Sequence, residues 1–155
     1  MIRAGSTGGR GLYNRAMDKA IQAPRRLQHV ERLRVLWGDM DALGHVNNVM
    51  YFRYMEQARI GMFAALVPPE HAWKTLGMVI VNAACDFRRA LVYPADIEVK
   101  VYTEPPGGSS LATIYEIAPV GEAEPWALGR ATIVFMNLEL DRPTRIPDFV
   151  REKLA

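Results

Sequence analysis

From Asn48 to Leu66 the chain holds no proline, and its apolar residues Val49, Phe52, Met55, Ile60, Met62, Phe63 and Leu66 recur at roughly helical spacing. Only Gly61 weakens the run, and Pro68 and Pro69 end it. A helix apolar around so much of its circumference has to be covered by the rest of the chain. The other segments are suited to that. Val30 to Trp37 alternates, with Leu33, Val35 and Trp37 on one face and Arg32 and Arg34 on the other, as a half-buried strand does. After a short helical turn over Glu70 to Leu76, Met78 to Phe87 is a nearly unbroken apolar run, read as a strand buried on both faces. Ile97, Val99 and Val101 alternate with Asp96, Glu98 and Lys100 in a third strand. In the fourth, Leu111, Thr113, Tyr115 and Ile117 share one side. Trp126 to Leu140 is the last long strand, with Gly129 as a bulge. Pro94, the Pro105 to Ser110 hairpin and the loop from Pro119 to Pro125 separate these strands, and Asp148 to Leu154 is a terminal helical turn or two. Strand, long helix, then four strands on short turns make an α+β chain: an antiparallel five-stranded sheet wrapped around one long central helix.

Half of the 155 residues are apolar, enough for one domain with a real core. The net charge is +2, but Arg3, Arg10, Arg15, Lys19, Arg25 and Arg26 stand against Asp18 alone in residues 1–28. That leaves the remainder at −3, which argues against a general nucleic-acid surface. Residues 1–28 are therefore read as a basic, partly flexible arm, Gly-rich to Leu12 and helical from Tyr13 to Leu27, and residues 29–155 as the folded domain. No apolar run approaches the roughly 20 residues of a membrane span. A lone cysteine, Cys85, permits no internal disulfide and points to core packing within its strand. A cytoplasmic location is expected, or the mitochondrial matrix if the Arg-rich arm is a transit peptide.

The chemistry concentrates just before the long helix. Asp39, Asp41, Gly44, His45, Asn47 and Asn48 favour turns and caps, and either asparagine is a natural N-cap. A helix N-terminus offers unpaired N–H groups and a partial positive charge, so it can hold a carbonyl oxygen as that oxygen becomes negative. A carboxylate across from it can activate water or attack directly.

The pattern D-x-D-x-x-G-H-V-N-N-x-x-Y, carried here by Asp39, Asp41, Gly44, His45, Val46, Asn47, Asn48 and Tyr51, resembles the signature of hotdog-fold acyl-CoA thioesterases. The similar proteins are the 4-hydroxybenzoyl-CoA thioesterases and the bacterial long-chain acyl-CoA thioesterases, and the likeness runs from about Glu31 to the C-terminus. It implies the hotdog fold, a homodimer or a dimer-of-dimers tetramer with active sites at the subunit boundary, an acyl-CoA substrate, and no metal or cofactor. It also implies that Asp41 is the catalytic carboxylate, as general base or nucleophile, and that the Asn48 backbone N–H polarises the thioester carbonyl. The HVNN form departs from the 4-hydroxybenzoyl enzymes and points to fatty acyl groups.

Other residues take lesser parts in this reading. Asp39 braces the loop; His45 either orients Asp41 or the thioester by hydrogen bond or is a satisfied loop histidine; Tyr51 either lines the acyl pocket or packs. Glu56 is placed to pair with both Arg53 and Arg59, and Arg88 and Arg89 are candidates for the phosphates of coenzyme A. The alternatives are a hotdog hydratase or dehydratase using His45, and a non-enzymatic acyl-CoA-sensing module.

Overall fold

The computed structural model describes residues 22–155. Its long helix, α1, runs Asn48–Leu66. Six strands accompany it: β1 (Arg26–Val35), β2 (Leu76–Phe87), β3 (Ala95–Thr103), β4 (Ser110–Pro119), β5 (Ala127–Asn137) and the two-residue β6 (Arg142–Pro143). A short helix, α2, covers Asp148–Leu154. The main sheet has the order β1-β3-β4-β5-β2 with every pairing antiparallel, and β6 adds a short rung to β5. The five expected strands are all present around the central helix, with β6 as a small sixth. The helix expected over Tyr13 to Leu27 falls mostly outside the described residues, and where they overlap Arg26 and Leu27 are already strand.

Alternation in β3 and β4 follows directly from their sequences. Ile97, Val99, Val101, Leu111, Thr113, Tyr115 and Ile117 are all buried, because successive strand side chains face opposite sides and one side meets α1. The opposite side of the β1–β3 pair is polar and carries ion pairs, Arg32 with Glu98 and Arg34 with Asp96. From α1 the buried residues are Tyr51, Tyr54, Met55, Ala58, Met62, Phe63 and Leu66. The stripe is shifted from the one expected: Val49 and Ile60 are exposed, since the sheet wraps one side of the helix and leaves the other open.

Three further expectations are corrected. Trp37 is not the end of β1: the Asp39 carboxylate accepts the Leu36 N–H at 2.8 Å, turning the chain through one 3-10 turn at Trp37–Asp39 and leaving Trp37 78% exposed. β2 is not buried on both faces; among the described strands it is a sheet edge paired with β5 alone, and Val79, Ile80 and Val81 are exposed. Gly129 makes no bulge, for the β5 register runs straight through it opposite Cys85 and Tyr115. Its lack of a side chain serves a close approach instead: a Cβ there would stand 2.5 Å from the Met55 sulfur of α1.

α1 is fixed at both ends. The Asn47 side chain accepts the Val49 N–H at 3.0 Å, a cap of about 1 kcal/mol. At the other end Lys153 of α2 donates to the Ala65 and Leu66 carbonyls, satisfying two of the last acceptors and placing a cation at the negative pole. Arg151 ties α2 to the β3–β4 turn through the Gly108 carbonyl at 2.8 Å.

Candidate active site

The loop Met40–Asn47 is a tight excursion closed by backbone bonds. Met40 bridges Val46, and the Asp41 N–H donates to the His45 carbonyl at 2.9 Å. The Asn47 N–H donates to the Asp39 carbonyl, also at 2.9 Å. Gly44 closes the turn at φ +78°, a conformation that L side chains rarely adopt. The loop is seated on the core by Val46, which is buried and whose N–H donates to the Leu91 carbonyl.

Asp39 and Asp41 have different surroundings. Asp39 is buried, and one of its oxygens accepts both the Leu36 N–H and the Tyr54 hydroxyl, at 2.8 and 2.7 Å. It is a brace between the loop and the helix. Burial first, and then the Asp39 carboxylate, hold the Tyr54 phenol far above the ordinary tyrosine range, so it stays a donor. Asp41 is half-buried, and one oxygen accepts the Leu43 N–H at 2.8 Å. That bond orients the carboxylate and leaves its second oxygen without a partner among the described residues. Asp41 lines a cavity of about 490 Å³ together with Trp37, Gly38, Met40, Gly44 and Tyr93.

The helix end beside it is electrostatically open. The first turn of α1 holds no acidic side chain, so the positive pole of the helix is not compensated locally. Asn47 takes the Val49 N–H, and the Met50 N–H donates to the Asn47 carbonyl. Among the described residues the Asn48 N–H has no acceptor. An unsatisfied amide at a helix start is the group that stabilises a developing oxyanion.

The remaining sequence-derived candidates are less uniform. His45 is exposed, and among the described residues its ring makes no hydrogen bond; it does not meet Asp41 through its side chain. Tyr51 is 3% exposed, packs edge-on against Phe87, and its hydroxyl accepts the Leu91 N–H at 3.2 Å. It holds the Phe87–Tyr93 segment alongside the loop. Arg88 and Arg89 lie in that segment, both exposed; their backbone N–H groups converge on the Trp126 carbonyl, and the Arg89 guanidinium lies over the Trp126 ring. Among the described residues Glu56 pairs with Arg53 and not with Arg59, whose guanidinium donates to the Tyr115 hydroxyl instead. Trp37 and Tyr93, which flank Asp41 in the cavity, are not candidates from sequence. Tyr93 stands before Pro94 and reads as ordinary turn punctuation, and Trp37 fits the alternation of β1.

A central helix clasped by an antiparallel sheet, with a carboxylate-bearing loop at its N-terminus, defines a hotdog-type thioesterase scaffold. The chain belongs to the Thioesterase-like superfamily, whose family model matches residues 35–154. A putative thioesterase from Pseudomonas aeruginosa is similar at TM-score 0.76 and 30% identity, over 84% of this chain and 100% of that one. A thioesterase from Thermus thermophilus, solved with coenzyme A and Zn, is similar at TM-score 0.71 and 30% identity, over 83% and 92%. A gentisyl-coenzyme A thioesterase is similar at TM-score 0.72 and 26% identity, over 81% and 99%. Family and neighbours together support thioester hydrolysis. Among the described residues no helix is long and apolar enough to cross a membrane.

Proposed function

We propose that this protein hydrolyses acyl-CoA thioesters of aliphatic acyl groups, with Asp41 as the catalytic carboxylate and the Asn48 N–H as oxyanion donor. The observation that carries the reading is the Asp41 carboxylate itself. It is held by one backbone bond, has one oxygen open to a cavity, and belongs to the loop that leads into an uncompensated helix N-terminus.

As general base, the free Asp41 oxygen takes a proton from water as the water oxygen adds to the thioester carbonyl. The oxyanion forms against the Asn48 N–H. Collapse then breaks the C–S bond, and the departing thiolate of coenzyme A recovers the proton. As nucleophile, Asp41 adds directly, expels the thiolate and gives a mixed anhydride that water cleaves. Arg88 and Arg89, on the segment beside the loop, take the phosphates of coenzyme A. The aliphatic preference is supported by a groove of about 330 Å³ in which Val49, Phe52, Met55, Ile80 and Ala83 stand together with Arg53, Glu56 and Arg59.

The working unit in this reading is a homodimer or larger. Among the described residues the outer edge of β2 has no partner strand and carries exposed valine and isoleucine, the kind of edge that folded proteins cover. A second copy pairing there continues the sheet across the boundary.

Asp41→Asn tests the assignment. It keeps the side-chain acceptor for the Leu43 N–H and removes the base, so free-thiol release from acyl-CoA falls on the order of 10²- to 10⁴-fold with an unchanged circular dichroism spectrum. Near-normal turnover in that variant would remove Asp41 from the chemistry.

A further inference from the structure

On the open side of α1, Val49, Phe52, Glu56 and Arg59 follow one another at helical spacing and form a wall of the groove, with Ile80 and Ala83 of β2 opposite. Val49, the residue after Asn48, lines the groove, which therefore runs along α1 from beside the proposed oxyanion donor. Two of its charges neutralise each other, since Arg53 and Glu56 form an ion pair. Arg59 is different. It is half-buried, its Nη1 donates to the buried Tyr115 hydroxyl at 3.3 Å, and among the described residues no carboxylate lies within ion-pair distance of it. A guanidinium partly withdrawn from water without a counter-charge is costly in the empty site. That cost is offset when a ligand supplies an anion, and the planar fork of Arg suits a carboxylate. An acyl chain ending in a methyl group gains nothing from the same position.

We propose that Arg59 is a specificity-determining residue that binds a carboxylate at the far end of the acyl chain, making ω-carboxyacyl-CoA thioesters of medium length the preferred substrates. The inference rests on the thioesterase reading above. The length follows from the helix. Arg59 stands eleven positions after Asn48, about 16 Å along the axis, and its side chain tilts back toward the N-terminus and shortens that span. At about 1.2 Å per bond for an extended chain, on the order of eight to ten carbons fill the distance.

The test compares octanoyl-CoA with its ω-carboxy counterpart by free-thiol release in the wild type, Arg59→Leu and Arg59→Lys. Wild type is expected to favour the ω-carboxy thioester in kcat/KM by roughly ten- to a hundredfold, the worth of a charge-assisted hydrogen bond. Arg59→Leu reverses the order by losing the acid and improving on octanoyl-CoA, and Arg59→Lys restores part of the preference. Hydrolysis of both thioesters with equal kcat/KM by the wild type overturns the inference and leaves the thioesterase reading standing. Turnover of neither overturns that reading and takes the inference with it. If Arg59→Leu instead leaves the preference intact and makes the oligomer dissociate on dilution in sedimentation, the guanidinium serves a subunit contact and the proposal is wrong.

Discussion

Gly129→Ala isolates the contact that sets the distance between α1 and the sheet. The new methyl would stand 2.5 Å from the Met55 sulfur, 2.8 Å from its Cε and 3.3 Å from its Cγ. Comfortable separations are about 3.5–4.0 Å, so the overlap at the sulfur is about 1 Å. Met55 is 1% exposed and cannot swing into solvent, so the strain passes to its neighbours. Overpacking of this size costs about 1–3 kcal/mol. Against it stands the entropy that alanine saves in a strand, about 0.5–1 kcal/mol. The clash wins, with a net loss of about 1–2 kcal/mol and a midpoint lowered by about 2–8 °C for a chain of this length. Calorimetry at fixed protein concentration reads it directly. The decisive arm is the double mutant with Met55→Ala. Shortening Met55 costs about 2–5 kcal/mol by itself, but in that background the methyl introduced by Gly129→Ala enters the vacated space and becomes stabilising. A Gly129→Ala substitution that is neutral in wild type, or that has the same sign in both backgrounds, refutes the close-approach account.

Tyr54→Phe leaves the buried Asp39 carboxylate with the Leu36 N–H as its remaining donor, so urea denaturation should show a loss of about 1.5–3 kcal/mol; a change under about 0.5 kcal/mol would mean the brace is idle. Alkaline titration should show the same residue. Its folded pKa is raised, so its contribution is complete below the unfolded value of about 10 and is lost as pH climbs beyond that value, because the unfolded chain gives up the proton while the folded chain keeps it. Wild-type stability should therefore fall more steeply than that of Tyr54→Phe in this range, with parallel curves counting against the assignment; Tyr51 and Tyr102, shifted in the same direction, supply a background slope common to both. Burial, reinforced by Asp86, pushes the Cys85 thiol up to about 12, so iodoacetamide at about pH 8 should label it far more slowly than it labels a free cysteine, and labelling at the free rate would show that β2 opens.

The parts of the fold that the sequence announces are those whose environment is set by neighbours within the chain. β3 faces α1 on one side and stays at least partly accessible on the other, and its alternation says so residue by residue; β4 follows the same pattern except at Ile114, which is buried on the opposite face. α2 is legible at the residue level from the prolines before it and its apolar spacing. The misreadings share a cause: an apolar residue signals that it is to be covered, but not by what. The run Met78–Phe87 reads as interior strand and is an edge, and Trp37 reads as the end of a strand and stands exposed at the mouth of the Asp41 cavity. Gly129 stands out in its strand, but its reason lies on a helix more than seventy residues earlier in the chain, which no local pattern encodes. The loop motif singles out Asp41 and the helix start, while the aromatic flank at Tyr93 and the unpaired charge at Arg59 come from long-range placement alone.

The strand order also has a history in time. Among the described strands β2 pairs only with β5, whose final residue comes roughly fifty positions after the end of β2. At about 5–20 residues per second, a nascent chain emerging from the ribosome carries a bare stretch of Val-Ile-Val for several seconds with no rung to join. Those seconds are a window for chaperone capture or for mispairing between neighbouring chains on one message. Val81→Lys or Val81→Glu, at a position beside the register shift of this ladder, should suppress that mispairing during rapid expression and, because the same edge is the proposed subunit contact, weaken self-association as well.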